Sequence, residues 1–282
     1  MAHSLSRRNV LRGAVFGAAA AGLPAVDLSA ALASAELSPD FERMRSAGRL
    51  VVAIGGFETP PFFAEKDGEL AGQDIAIAKQ LGLALNLPVA FDRRAKTFNE
   101  VVDVVYNGDA DIAISKLSRT YERTMRVGFS APYLVLRHGI AFNRLRLAEF
   151  SRGRDIIDLI KTLDGEVAVL ENSAFIDYAK HNFPAAKVTQ MKSWPEIQDA
   201  VLTGRVLCAY RDELEIKRIS RQNKSNALKL RNVTLTDVRD YIAMATRQES
   251  GGLRAFVDIF LEQMNLSLTA DNILDANSEL LK

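Results

Sequence analysis

The sequence contains one cysteine and three histidines in 282 residues, and both scarcities limit what the chain can be. A single cysteine, Cys208, excludes an internal disulfide, and its apolar neighbours in VLCAY predict a buried core thiol. His3, His138 and His181 lie far apart, without the Cys/His spacing of a metal site, and the G-x-S-x-G elbow of many hydrolases is missing. The pattern therefore predicts neither a metal nor a cofactor.

An excess of charge of one sign is also missing. Lys and Arg total 36 against 35 for Asp and Glu, and no block of like charge stands out. Nucleic-acid binders usually carry a basic patch or stripe, so we expect no nucleic-acid partner. With 48% hydrophobic and 25% charged residues, the composition is that of a globular protein long enough for two lobes.

The N-terminus has a composition of its own. Arg7 and Arg8 precede a Gly/Ala-rich apolar run over residues 13–26, and small residues follow at Ala33 and Ala35. This order predicts a twin-arginine export signal over residues 1–35, cleaved after Ala35, and hence a periplasmic protein. An uncleaved anchor is the alternative, but the run is short and rich in Gly and Ala for a bilayer span. No cysteine lies near the cleavage site, so we expect no lipid anchor.

Beyond the signal, short apolar runs rich in Val and Ile alternate with segments of helical spacing. The first unit has predicted strands at 49–54 and 111–115 and predicted helices at 74–85 and 98–107. The second has predicted strands at 166–170, 186–191 and 205–210 and predicted helices at 173–182 and 194–203. Two similar α/β units therefore follow each other.

Two extended pieces, 137–144 and 241–247, flank the second unit, and a C-terminal helix is predicted at 251–264. If the chain crosses near 138 and returns near 232, residues 48–137 and 232–282 form a first lobe. Residues 138–231 then form a second lobe. Two lobes joined by two strands make a hinge, and a cleft between lobes is a usual place for a small ligand.

Several stretches in one order carry a resemblance to a known family. They are GRLVVAI with PPFF, GELAGQDIAIAKQL, FNEVVDVVYNGDADIAIS and LSRTYERTMRVGFSAPY. From about Gly48 to Met264 the chain resembles the periplasmic solute-binding proteins of ABC importers, in the polar amino-acid binding group. The resemblance implies an α/β fold of the type II periplasmic-binding class, with two lobes, a two-strand hinge and a cleft for an amino acid or related small carboxylate. It also implies an inner-membrane ABC permease as partner, and we expect a monomer.

The stretch from Ser115 to Arg123 contains the strongest candidate for ligand contact. A strand followed by a helix start offers free N–H groups that attract an anion, and an arginine adds a planar fork that matches a carboxylate. The resemblance implies that Arg123 clamps the ligand carboxylate with help from Ser118. Without that pattern, Arg123 would be interpreted as a solvated surface arginine. Thr120 is either a contact or a helix cap, and Phe98 is either an aromatic shelf under the ligand or a core residue.

The second lobe offers counterparts to these groups. The backbone N–H groups of Ser173 and Ala174 begin a predicted helix and can approach the same carboxylate. The resemblance implies that Asp212 takes the ligand ammonium. Asp212 can also cap a helix predicted at 213–220, and both roles can hold together.

Three positions depart from the family pattern. Thr59 stands where the family has its first aromatic shelf, so Phe57 or Phe62 would have to replace it, and Gln73 stands at another usual aromatic position. Lys116 occupies a position where the family commonly has a small residue near the ligand ammonium. A lysine there repels an ammonium unless it points out of the cleft. The hypothesis is that the ligand carries an extra acid group or lacks a standard α-amino group.

Two other functions compete with transport. Periplasmic cyclohexadienyl dehydratases, which act on arogenate or prephenate, closely resemble this family and would need an acid catalyst, for which Glu171 is the candidate by position. Its ordinary role would be a solvated glutamate near a helix start. A sensor module would usually need an attached membrane or signalling domain, and we identify none in the sequence.

Overall fold

The computed structural model describes residues 37–281. The predicted export signal and its cleavage site after Ala35 lie outside the described residues. No helix among residues 37–281 has both the length and the apolar character needed to cross a bilayer.

The first half of the described chain alternates strands and helices. Its strands are β1 Leu50–Ala53, β2 Ala64–Lys66, β3 Glu69–Ala71, β4 Val89–Asp92, β5 Ile112–Ala113 and β6 Val127–Asn143. Its helices are α1 Pro39–Ala47, α2 Gln73–Ala84, α3 Phe98–Tyr106 and the single turn α4 Tyr121–Thr124.

The second half repeats the alternation. Its strands are β7 Glu166–Leu170, β8 Lys187–Met191, β9 Cys208–Asp212 and β10 Leu230–Arg247. Its helices are α5 Arg144–Ser151, α6 Ile156–Lys161, α7 Phe175–Asn182, α8 Trp194–Thr203, α9 Glu213–Gln222, α10 Lys224–Lys229, α11 Gly251–Met264 and α12 Ala270–Ala276, with a 3₁₀ turn at Ser278–Leu281.

Eight strands form one sheet in the order β4-β1-β5-β10-β6-β9-β7-β8, and β2 and β3 form a separate hairpin. At each end of the sheet the strands are parallel, β1 with β4 and β5, and β7 with β8 and β9. The centre is antiparallel, because β10 pairs with β5 and β6, and β6 pairs with β9. Two parallel α/β units thus meet on two long central strands.

The long strands β6 and β10 run through both units. Near one end Ala245 and Thr246 of β10 pair with β5, and near the other end residues 138–142 of β6 pair with β9. Their mutual register is interrupted between Leu235 and Arg239, opposite His138 and Arg137. The interruption lies close to the proposed crossing at 138, and the lobe boundaries remain a prediction.

Each unit has its own buried clusters. Leu50, Ile77 and Ile112 belong to a core of the first unit, and Phe142, Val167 and Tyr210 to a core of the second. Helices cover both faces of the sheet, which explains why the strands are apolar on both sides. The fold class predicted from the sequence, an α/β type II periplasmic-binding fold, is confirmed by this architecture and by the structural neighbours described below.

The strand predicted at 205–210 is wrong in its bounds, since β9 runs from Cys208 to Asp212. The reason is the turn after α8, where Gly204 adopts a left-handed φ of 76° and ends that helix. Asp212 is therefore the last residue of the strand rather than a residue just beyond it. This position brings Asp212 to the end of the sheet that faces the first unit.

Candidate ligand-binding site

A narrow cleft, about 270 Å³ with the open solvent at its mouth included, lies where the two units meet. Seven residues selected from the sequence line it: Phe98, Lys116, Ser118, Arg123, Ser173, Ala174 and Asp212. Three others line it as well: Phe175, Arg211 and Asp240. Both units contribute, so the cavity has the position expected of a cleft between lobes.

Lys116 points into this cavity rather than out of it. Its Nζ lies 2.9 Å from Asp212 Oδ2 and 3.0 Å from Glu215 Oε1, and its side chain is only 2% exposed. Its backbone has a left-handed φ of 47°, and its N–H donates to Asp74 Oδ2 at 2.6 Å. Because Lys116 follows β5 and the two acids belong to β9 and α9, this ion pair joins the two units.

Glu215 is held as a buried carboxylate by several cations. Besides Lys116, it accepts hydrogen bonds from Arg218 Nε at 2.9 Å and Arg218 Nη2 at 2.7 Å. Burial alone would raise the pKa of Glu215, but Arg218, Lys116 and Arg211 together hold it well below its usual range. Glu215 therefore stays charged and anchors the Lys116 ammonium.

Asp212 has two partners besides Lys116. Its Oδ1 accepts from the backbone N–H of Glu215 at 3.1 Å, which caps α9, and its Oδ2 lies 3.5 Å from Arg211 Nε. The capping role considered for Asp212 is thus present. Contact with a ligand ammonium remains a prediction, and the carboxylate that would make it is already engaged.

Arg123 is buried with its guanidinium at the cavity wall. Its Nη1 donates to the carbonyl oxygen of Ser118 at 3.0 Å, and its Nη2 donates to Asn99 Oδ1 at 2.9 Å. Burial lowers the pKa of Arg123, and nearby Asp240 opposes that shift. An arginine keeps its charge even when buried, so it presents a fixed cation to the cavity.

The hydroxyl of Ser118 does not point at Arg123 but donates to Asp240 Oδ2 at 2.9 Å. Tyr178 OH donates to the other oxygen of Asp240 at 3.3 Å. Burial and the neighbouring Asp212 raise the pKa of Asp240 to about 6, so the group is still mostly ionised at neutral pH. Asp240 was not selected from the sequence, because a single acid beside a strand is an ordinary surface pattern.

Arg211 is the second residue that sequence reasoning missed. It is 4% exposed, and its Nε and Nη1 have no hydrogen-bond partner among residues 37–281. Its Cζ lies 5.5 Å from the ring centroid of Phe98, 5.9 Å from that of Phe175 and 5.3 Å from that of Trp194. In the sequence AYRDEL at 209–214 only Asp212 was selected, because alternation along a short apolar strand gives no reason to expect a buried arginine.

The other candidates lie around the cavity rather than in its wall. Phe57 packs edge-on against Phe98, with ring centroids 5.0 Å apart, and Thr59 is held by backbone pairing with Phe63. Thr120 Oγ1 accepts from the N–H of Arg123 at 3.2 Å and so caps α4. Phe57, Thr59 and Thr120 are not among the residues that line the cavity, and ligand contact by them stays a prediction.

The sequence model of the bacterial extracellular solute-binding proteins, family 3, matches residues 50–277. The chain belongs to this family. The resemblance drawn from the sequence motifs is therefore confirmed, and the protein has a solute-binding role. A comparison with curated protein sequences finds no match.

Solved structures confirm the fold of this family 3 protein. AbpA of Streptococcus pneumoniae, an amino acid ABC transporter substrate-binding protein bound to L-arginine, is 24% identical, with a TM-score of 0.69 over 86% of this chain and 99% of that one. The ancestral amino acid-binding protein AncCDT-1, a precursor of cyclohexadienyl dehydratase, is also 24% identical, with a TM-score of 0.65 over 86% and 99%. A binding component of an ABC transporter from Wolinella succinogenes complexed with lysine is 19% identical, with a TM-score of 0.67 over 81% and 94%.

Two further polar residues of this solute-binding protein, Glu171 and His138, lie outside the cavity lining. Glu171, selected as a candidate acid catalyst, is half-buried and is not among the residues that line the cavity. His138 is buried on β6, where its Nδ1 contacts the hydroxyl of Tyr210. Among the described residues, no group of three or more His, Cys, Asp and Glu is arranged to hold a metal ion.

Proposed function

We propose that this family 3 protein is the periplasmic substrate-binding component of an ABC transporter. It captures an amino acid or related small carboxylate between its lobes and delivers it to an inner-membrane permease. The observation that carries the proposal is the buried, permanently charged Arg123 at the wall of a cavity shared by both units. A ligand that contacts both units adds to the ion pairs by which Lys116 already connects them, and so shifts the protein further towards the closed form.

The anion subsite has two supporting features. Arg123 brings a fixed positive charge from α4, and Ser173 and Ala174 border the same cavity at the start of α7. Ser173 Oγ donates to the carbonyl oxygen of Leu170 at 2.6 Å, which fixes the turn before that helix. Backbone N–H groups at a helix start favour a carboxylate.

Transport without chemistry is favoured over the dehydratase alternative. A dehydratase would need an acid in contact with its substrate, and Glu171, the acid selected for that role, does not line the cavity. Asp212 and Asp240 do line it, but Asp212 pairs with Lys116 and caps α9, and Asp240 accepts from Ser118 and Tyr178, so both act as structural carboxylates in the proposed site. The likeness to a precursor of cyclohexadienyl dehydratase is at 24% identity and shows the fold alone. We therefore assign the site to binding.

The test is a thermal-shift screen of the purified full chain against amino acids, small mono- and dicarboxylates, arogenate and prephenate. A ligand that binds only the folded form raises the melting temperature by mass action, equivalent to about 2.7 kcal/mol at a concentration one hundred times Kd. We expect a shift with a small carboxylate or amino acid, and recovery of that compound unchanged. Accumulation of phenylpyruvate or phenylalanine would instead establish the enzyme.

Arg123→Ala is expected to abolish the shift, because it removes the cation from the anion subsite. The matched control is Arg126→Ala, since Arg126 is exposed and pairs with Asp103 at 2.7 Å away from the cavity. A shift that persists unchanged in Arg123→Ala would contradict the proposed site.

For the route to the periplasm, we propose twin-arginine export followed by cleavage after Ala35. N-terminal sequencing of the exported protein should then begin at Glu36. A protein that retains Arg7 and Arg8 after export would contradict this route.

A further inference from the structure

The cavity lining carries more positive than negative charge. Among the described residues that line it, Lys116, Arg123 and Arg211 are cations, whereas Asp212 and Asp240 are the only acids. Just outside the lining, Glu215 is balanced by its double hydrogen bond with Arg218. The lining thus carries an excess of one positive charge, which favours an anionic ligand over a neutral or cationic one.

Both acids of the lining already have partners. Asp212 faces the Lys116 ammonium at 2.9 Å and also caps α9, and the two oxygens of Asp240 accept from Ser118 and Tyr178. At Asp212 an ammonium group on a ligand would compete with Lys116, and at Asp240 it would be repelled by Lys116 and Arg123, both of which act on that carboxylate. The site thus disfavours an ammonium even though it contains carboxylates.

The ammonium group that contacts Asp212 and Glu215 belongs to Lys116 itself. Its Nζ lies over the ring of Phe62, 4.7 Å from the centroid, and contacts carboxylates on the opposite unit. Because these contacts hold Nζ between two carboxylates and an aromatic ring, the ammonium is a fixed part of the wall rather than a group that leaves with the ligand.

The guanidinium group of Arg211 favours a second hydrogen-bond acceptor on the ligand. Its guanidinium lines the cavity, is always charged, and has two nitrogens without a hydrogen-bond partner among the described residues. Asp212, 3.5 Å from Nε, is shared with Lys116 and leaves Nη1 unmatched. A buried charged donor without an acceptor is costly, so a ligand oxygen at this point stabilises the site.

We propose that the ligand is a small dicarboxylate without a free amino group, with one carboxylate bound by Arg123 and the other by Arg211. The Lys116 ammonium takes the place that the amino group of an amino-acid ligand would need. This inference rests on the proposed binding function and narrows its ligand class.

Calorimetric titration of the full chain tests the proposal with acids that differ only in the amino group. The pairs are succinate with aspartate and glutarate with glutamate, and butyrate serves as a monocarboxylate. We expect at least one dicarboxylate to bind about tenfold or more tighter than its amino-acid partner and than butyrate, since tenfold corresponds to the loss of one modest ionic contact. Equal or tighter binding of the amino acid, or of butyrate, overturns the inference.

A variant gives the complementary comparison. Lys116→Ser removes the fixed ammonium, so it should weaken the dicarboxylate and strengthen the matched amino acid. The control is Lys66→Ser, an exposed lysine on β2 that should leave both affinities unchanged. If Lys116→Ser leaves the ratio of the two affinities unchanged, the inference fails. The comparison on the wild-type chain stands even if this variant does not fold.

The outcomes separate the two proposals. If an amino acid binds tighter than its dicarboxylate partner and its binding is lost in Arg123→Ala, the transport function stands and the ligand class is wrong. If none of the mono-, di- or amino acids binds, both the ligand class and the proposed function are wrong.

Discussion

His138 is a buried imidazole surrounded by the rings of Phe175, Tyr178 and Tyr210. Burial lowers the pKa of His138 to about 4, against an ordinary value of 6.5, although nearby Asp212 opposes the shift. The folded protein therefore binds the His138 proton more weakly than the unfolded chain does. The stability that neutral His138 contributes is fully present above pH 6.5 and is lost as the pH falls towards 4.

This shift predicts a specific acid sensitivity. The difference of about 2.5 pKa units corresponds to at most about 3 kcal/mol. Wild type should lose up to this much unfolding free energy through His138 when the pH falls from 6.5 to 4, and His138→Asn should not lose that part. Urea unfolding at the two pH values measures it. The control is His181→Asn, because His181 is exposed. The same pH dependence in wild type and His138→Asn would refute the assignment.

As the pH changes, Asp74 and Asp240 shift the free energy of unfolding in the direction opposite to that of His138. Burial raises the pKa of Asp74 to about 7 and of Asp240 to about 6, so the folded state holds their protons more tightly. Their contribution to stability is greatest below the ordinary value of 3.8 and declines as the pH rises towards 6 and 7. The contributions of Asp74 and Asp240 are common to wild type and His138→Asn. The difference in pH dependence between the two proteins therefore reports the contribution of His138 alone.

Also at the residue scale, the sequence selected residues that the structure brings together, but it did not predict the partners of those residues. Motif and resemblance selected Arg123, Lys116 and Asp212, all of which line the cavity. The direction of the Lys116 side chain could not be predicted, because it depends on acids 96 and 99 positions further along the chain. Arg211 and Asp240 carried no local signal, since each is a single charged residue next to a predicted strand or extended segment, and the structure places them within β9 and β10.

At the scale of elements, helices with clear end signals were predicted best. The prediction at 194–203 matches α8, where the Ser193 side chain accepts from the N–H of Glu196 and Gly204 ends the helix. The prediction at 251–264 likewise matches α11. Strands whose partners are remote were predicted less well, because β10 spans Leu230–Arg247 whereas only 241–247 was recognised as extended. The charged and polar residues of its first half hide its pairing with β6.

The elements also explain how the site is assembled. β5 and α4 bring Lys116 and Arg123 from one unit, and β9 and α9 bring Arg211, Asp212 and Glu215 from the other. The site residues therefore lie at strand ends and helix starts, where N–H groups and side chains are free to meet a ligand. The long strands β6 and β10 keep these two sets of ends facing each other.

At the scale of the whole molecule, Lys116 links the two units, and in the proposal above it also determines the ligand class. In an ordinary binding protein the ligand supplies most of the contacts that favour closure. Here the ion pairs of Lys116 with Asp212 and Glu215 already connect the units within the protein. Loss of one partner of such a buried network leaves uncompensated charge, typically at a cost of about 3–5 kcal/mol.

The most direct test of this account is small-angle X-ray scattering of the full chain without added ligand. We predict that Lys116→Ser has a larger radius of gyration than wild type, because the two carboxylates lose the cation that holds the units together. Lys66→Ser should match wild type. An unchanged radius of gyration in folded Lys116→Ser would contradict the central claim that the Lys116 ammonium occupies the cleft and bridges the lobes.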